Sequence, residues 1–168
     1  MAKPFGLEPG STPPSGMATY HIVLHSVPKP HPAFKSYMGS WTPERGLVRV
    51  MGTSEHFGED STASTARRLY DQVKRQLTQV YGSPQENEFV SDSVWAEERD
   101  FCSALANGER SHASLWERGV HGLDSDIQRI FLAVVSDDGY ETSNVSLMYD
   151  LPGYEDEAAG DEYGLDSL

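Results

Sequence analysis

"STASTARRLYDQVKRQLTQVYGSP", residues 61–84, decides the architecture. Ala66, Leu69, Tyr70, Val73, Leu77, Val80 and Tyr81 recur at the three- and four-residue spacings of one helix face. Ser61, Thr62 or Ser64 can cap the start, Gly82 can take the left-handed position past the end, and Pro84 stops the helix. A helix over about 63–81 with one apolar stripe needs a sheet to lie on, and the flanking segments supply it.

On the N-terminal side, "TYHIVLHSV" (19–27), "FKSYMGSW" (34–41) and "GLVRVMGT" (46–53) are rich in β-branched and aromatic residues and read as three antiparallel strands. On the C-terminal side, "SHASLWER" (111–118) reads as a strand, and "IQRIFLAVV" (127–135) with "VSLMYDL" (145–151) as a hairpin. Ile130 to Val135 is apolar on both faces, which predicts a central strand covered on one side by the long helix. Within "SVWAEERDFCSALANG" (93–108) a shorter helix is expected over about 93–106. Ser93 is its N-cap, Glu97 and Glu98 lie near the positive end of the dipole, and Asn107 and Gly108 terminate it.

The expected fold class is α+β, one domain with a mostly antiparallel sheet of about five to six strands, packed by one long amphipathic helix and a shorter one. The 168 residues suit a single domain. Residues 1–18 read as an irregular arm pinned by Phe5 and Leu7, 19–151 as the α+β domain, and 152–168 as an acidic flexible tail with six acids and no basic residue.

"HSVPKPHPAF" (25–34) places Pro28, Pro30 and Pro32 at alternate positions. Each fixes its own φ and favours extended geometry in the residue before it. A polyproline ligand for an SH3-type groove needs prolines three apart, and no two prolines in this chain are so spaced. The segment therefore reads as a stiff connection between strands.

With 26 acidic against 13 basic residues the net charge is −13, which disfavours nucleic acid and anionic lipid and favours a basic protein partner. The lone Cys102 excludes an intramolecular disulfide and fits a reducing compartment. No signal-peptide pattern and no run of ~18 apolar residues is present, so the expectation is a cytoplasmic protein without membrane contact.

Catalytic motifs are missing. There is no GxSxG elbow, no GxGxxG or P-loop pattern and no HExxH. His21, His25 and His31 cluster within eleven residues, but no cysteine pair or carboxylate stands at ligand spacing, so neither a metal nor a cofactor is expected. Cys102 sits on an apolar stripe and reads as a small buried hydrophobe; the adjacent acids Glu97 and Glu98, or Asp137 and Asp138, read as solvated. The balance tilts against an enzyme.

Several landmarks run in order along the chain: "PFGLEPG", "VPKPHPAFKSY", "ERGLVRVMG", "VYGSP", "SDSVW", "SLWE" and "GYETSNVSLMYD". Over roughly residues 4–150 the chain resembles a group of small bacterial proteins of unknown function. The resemblance implies a coherent α+β domain of bacterial or phage origin, and it carries no catalytic residue across.

The expected function is that of a non-enzymatic, acidic binding or inhibitor protein acting by protein–protein contact, such as an immunity protein of a bacterial conflict system or a phage counter-defence protein. The expected contact is the tail, Tyr154, Glu155, Asp156, Glu157, Asp161, Glu162 and Tyr163. Arg67, Arg68, Lys74 and Arg75 on the long helix form a secondary patch. The alternative is a small-ligand-binding protein or enzyme with its site on the open sheet face, near His21, His25, Trp41 and Trp116. A bacterial cytosolic domain of another role is the third reading, and the oligomeric state is left open, homodimer included.

Overall fold

The structure is a computed structural model and describes residues 3–13, 21–91, 97–137 and 141–154. Among these, seven strands form one antiparallel sheet: β1 His21–Leu24, β2 Ser36–Thr42, β3 Gly46–Thr53, β4 Gln85–Val90, β5 Arg110–Glu117, β6 Arg129–Val135 and β7 Asn144–Asp150. Their spatial order is β1-β2-β3-β7-β6-β5-β4. Helix α1, Ser64–Tyr81, lies against β6 and β7, and a short helix α2, Phe101–Ala106, packs by β5 and β6. No helix among the described residues is long and apolar enough to cross a membrane.

The α+β class and the antiparallel sheet agree with the sequence reading; the strand count does not. The additional strand is β4, "QENEFV". It lies at the sheet edge, where its acids need no burial: Glu86 pairs with Lys74 at 2.6 Å and Glu88 with His112 at 2.8 Å. An edge strand so placed lacks the apolar alternation by which strands are recognised. As its apolar run implies, β6 is an interior strand, paired with β7 on one side and β5 on the other and covered by α1, while β7 joins β3 to β6. The second helix begins later than expected, at Phe101 after a 3-10 turn Glu98–Asp100. Ser93 lies outside the described residues.

Side-chain alternation divides the sheet into two faces. Val145 and Leu147 of β7, Ile130, Leu132 and Val134 of β6 and Trp116 of β5 meet Ala66, Tyr70, Val73 and Leu77 of α1 in one buried core. Two polar contacts tie helix to sheet there. Tyr70 shares a 2.6 Å hydrogen bond with Ser114, and burial pushes its phenol pKa far up, so the hydroxyl stays neutral. Trp116 Nε1 donates to the Gly82 carbonyl at 2.8 Å, satisfying an acceptor at the helix end.

The helix start departs from the expected Ser or Thr cap. The N-cap position is Ala63, in a left-handed conformation at φ 52°, and the capping group is the Asp60 carboxylate. It accepts from the Thr65 N–H at 3.1 Å, from Ser64 at 2.8 Å and from Thr62 at 2.7 Å. Burial raises the Asp60 pKa, but these hydrogen bonds outweigh it and leave the group below its ordinary 3.8. A depressed folded-state pKa stabilises above the unfolded value and loses that contribution as pH falls through the folded one. Asp60→Ala should therefore cost about 1 kcal/mol at neutral pH, as loss of a cap does. Denaturant unfolding repeated at progressively lower pH should show the gap to the parent protein closing below 3.8; a gap independent of pH would assign the cost to packing instead.

The proline connection is a strap held by the N-terminal arm. Lys29 N–H donates to the Phe5 carbonyl at 2.9 Å, and His31 N–H to the Tyr37 hydroxyl at 2.9 Å. The Phe5 ring stands edge-on to Phe34, Tyr37 and Tyr149, with centroids 5.8, 4.8 and 5.8 Å away. Gly52 makes room for it: a Cβ there would come within 2.9 Å of that ring. The described residues of the arm and the strap thus close one end of the helix-side core.

Candidate functional site

The face of the sheet turned away from α1 is ordered in three rows that run across the strands in register. The first is polar and charged: His21, Ser40, Arg49, Asp150, Arg129 and Glu117. The second is apolar: Val23, Met38, Met51, Met148, Phe131 and Leu115. The third is built of small residues, Ser36, Thr53, Ser146, Ala133 and Ala113, and closes with Asn87. At about 4.8 Å between strands, each row extends about 24 Å.

Bulky side chains beside a row of small ones leave a depression. A cavity of about 720 Å³ crosses this face diagonally, from His21, Ser40 and Arg49 at one corner to Phe89 and Leu105 at the other. Met38, Met51, Met148 and Phe131 supply an apolar floor, and Thr53, Ser146, Ala133 and Ala113 give it depth. Thioether side chains adapt to the shape of what they touch, so this floor suits an apolar body without dictating its outline.

The polar groups around the cavity differ in how far they are committed. Asn144, 4% exposed, is among the residues that line the cavity. His21 Nδ1 lies 2.8 Å from Ser40 Oγ, which fixes the imidazole at the cavity edge. Arg49 donates through Nε to Asp150 Oδ1 at 2.6 Å, while Arg129 donates to Asp150 Oδ2 through Nε at 2.8 Å and Nη2 at 2.6 Å. One buried carboxylate thus serves two guanidinium groups. The Arg49 guanidinium also lies 3.5 Å from the centroid of the Tyr154 ring.

The residues singled out for a ligand face do not share one face. His21 lies on the open side and His25 is exposed beyond the end of β1. Trp41 and Trp116 point the other way, Trp116 into the helix-side core and Trp41 against Leu47, Val50 and Leu151. The Trp41 ring lies over Gly39, where a Cβ would approach to 2.3 Å. In the secondary patch, Arg67 is paired with Glu98 and Lys74 with Glu86, while Arg68 and Arg75 are exposed. Of the proposed tail contacts only Tyr154 is described; Glu155, Asp156, Glu157, Asp161, Glu162 and Tyr163 lie outside the described residues.

No group of three or more His, Cys, Asp or Glu suited to a metal ion occurs among the described residues; His31 instead bonds Gln76 at 3.1 Å. Cys102 is buried, its thiol directed at the Asp60 carbonyl at 3.3 Å, and burial pushes its pKa up, away from nucleophilic character. Asn144 and the methionine row were not recognisable from spacing alone, because their convergence depends on which strands pair and in what register. Comparison with protein-family models, with characterised proteins and with solved structures finds no match for this chain.

Proposed function

We propose that the protein is a non-catalytic binding protein whose ligand is a small amphipathic molecule held in the concave sheet face. The supporting observation is the cavity itself. Its volume of about 720 Å³ falls within the range of roughly 300–1,000 Å³ usual for small-molecule sites, and an apolar floor with few convergent polar groups is their ordinary composition.

The test uses the apolar fluorophore anilinonaphthalenesulfonate and the substitution Ser146→Trp, which fills the cavity between Thr53 and Ala133 without entering the helix-side core. The parent protein should bind the dye saturably, and Ser146→Trp should abolish binding while keeping its circular dichroism and cooperative unfolding. At a hundredfold excess over the dissociation constant the dye should stabilise the parent by about 2.7 kcal/mol. Saturable binding that survives in Ser146→Trp would remove the cavity from consideration.

An enzyme on the same face is a second reading, favoured by the His21–Ser40 contact, which has the distance of a base to a hydroxyl. Turnover of a p-nitrophenyl ester that disappears in Ser40→Ala would establish it. Protein contact through the acidic tail is supported by the net charge of −13, and Tyr154 at the root of that tail is engaged with Arg49. Salt-sensitive capture of a stoichiometric basic protein, lost on truncation after Pro152, would favour that reading.

A further inference from the structure

We infer that the cavity on the open sheet face is the docking site of this chain's own acidic segment, residues 155–168, with Tyr163 and Leu165 lying on the floor of methionines and Phe131. Such a segment is an occupant that a free ligand has to displace, which goes beyond the small-ligand reading. The last described residues lead there. After β7 the chain turns back on itself: Gly153 takes φ 101°, and the Tyr154 N–H donates to the Leu151 carbonyl at 3.2 Å. The turn sets the Tyr154 ring against Arg49, a residue of the cavity lining, with 3.5 Å between the guanidinium carbon and the ring centroid. The segment that follows therefore starts at a corner of the cavity.

Length and pattern suit the cavity. Fourteen residues, 155–168, follow Tyr154. At about 3.3 Å per extended residue, Tyr163 reaches up to about 30 Å from it. Phe131 lies two strands from Arg49 and Phe89 four, which at the ordinary strand spacing is about 10 and 19 Å. In "YGLDS" (163–167) Tyr163 and Leu165 alternate with Gly164 and Asp166, so an extended segment turns both apolar side chains to one side and the acid to the other. Met38, Met51, Met148 and Phe131 offer that side a floor that adapts to its shape. Charge does not choose the occupant: Arg49 is balanced by Asp150, and Arg110 stands in the same lining as Asp137. Shape does. A second copy related by a two-fold axis would set one hollow against another. The three rows, about 24 by 14 Å, also fall well short of the roughly 800 Å² that each partner of a stable dimer buries. A narrow segment fills what a second copy leaves empty.

The test is disulfide trapping within the full chain. Ser146→Cys, in the row of small residues, is combined with Leu165→Cys under oxidised glutathione; the native Cys102 is buried and does not compete. The same pair is then measured with Tyr163→Ser, which keeps the tether length and removes one apolar anchor. The disulfide should form roughly tenfold more slowly with Tyr163→Ser, the change expected when one large apolar side chain no longer holds the segment down. Equal rates would overturn the inference, since tethering alone would then account for the bond. Binding of anilinonaphthalenesulfonate separates this result from the small-ligand reading. Without the added cysteines, Tyr163→Ser should bind the dye roughly tenfold more tightly than the parent. Dye affinity unchanged by Tyr163→Ser would overturn the tail assignment and leave the cavity reading intact. Slower trapping with Tyr163→Ser but no dye binding by either protein would keep the tail in the cavity and remove the small-ligand reading. A concentration-dependent dimer that Ser146→Trp dissolves would give the face to a second copy and overturn the inference.

Discussion

Substituting Trp116 by alanine is expected to remove about 3–5 kcal/mol of stability, the cost of emptying a large buried aromatic site. Trp116 is 0% exposed and is packed between β5, β6 and the C-terminal half of α1. Its indole also donates to the Gly82 carbonyl at the point where α1 ends, so the substitution both opens a cavity and leaves a helix-terminal acceptor to solvent. Against an ordinary total of about 5–15 kcal/mol, such a loss leaves the protein close to its unfolding midpoint under mild conditions. Trp116→Phe refills most of the volume without restoring the hydrogen bond, and should cost about half as much or less. Guanidinium unfolding of the three proteins reads both terms; a loss below about 1 kcal/mol for Trp116→Ala would show that the helix–sheet core does not depend on this residue.

The second large effect is at Asp150. Removing one member of a buried ion pair costs about 3–5 kcal/mol, because the remaining charge is left without compensation in a poorly solvated place. Asp150→Ala leaves the Arg49 guanidinium, 7% exposed, in that position. Arg129, at 37%, can turn to solvent and should contribute little to the loss. Combining Asp150→Leu with Arg49→Met and Arg129→Met should recover much of the stability, since apolar residues of similar volume often replace a buried charge cluster without penalty. Urea unfolding midpoints would settle the matter. Asp150→Ala costing no more than an exposed ion pair would show that water reaches Arg49 freely.

How much of this was legible in the sequence depends on range. The long helix and most of the strands declare themselves through short-range periodicity, and Gly82 and Pro84 mark the helix end as expected. β4 escaped because an edge strand can alternate glutamates that pair with Lys74 and His112 instead of apolar residues. The Asp60 cap escaped because Ala63 occupies the conventional cap position in a left-handed conformation and the carboxylate reaches forward from three residues upstream. The concave face was legible only as a conjecture. Met38, Met51 and Met148 come from three separate strands, and their alignment follows from pairing that no local pattern encodes. The tryptophans placed with His21 lie on the other side for the same reason: one residue of register exchanges the faces.

The position of β7 has a consequence for how the chain reaches this state. β7 joins the β1-β2-β3 meander to the β4-β5-β6 meander, and it lies last among the described strands of the chain. Its partners on one side were synthesised long before it: Arg49 and Asp150 are 101 residues apart. During translation, therefore, two half-sheets with unsatisfied edges must wait for the strand that unites them. Pairing so distant in sequence makes folding slow relative to a helical protein of the same size. It also makes folding a late, concerted event, in which a nascent chain lacking its final strand exposes both β3 and β6 to any edge-seeking neighbour.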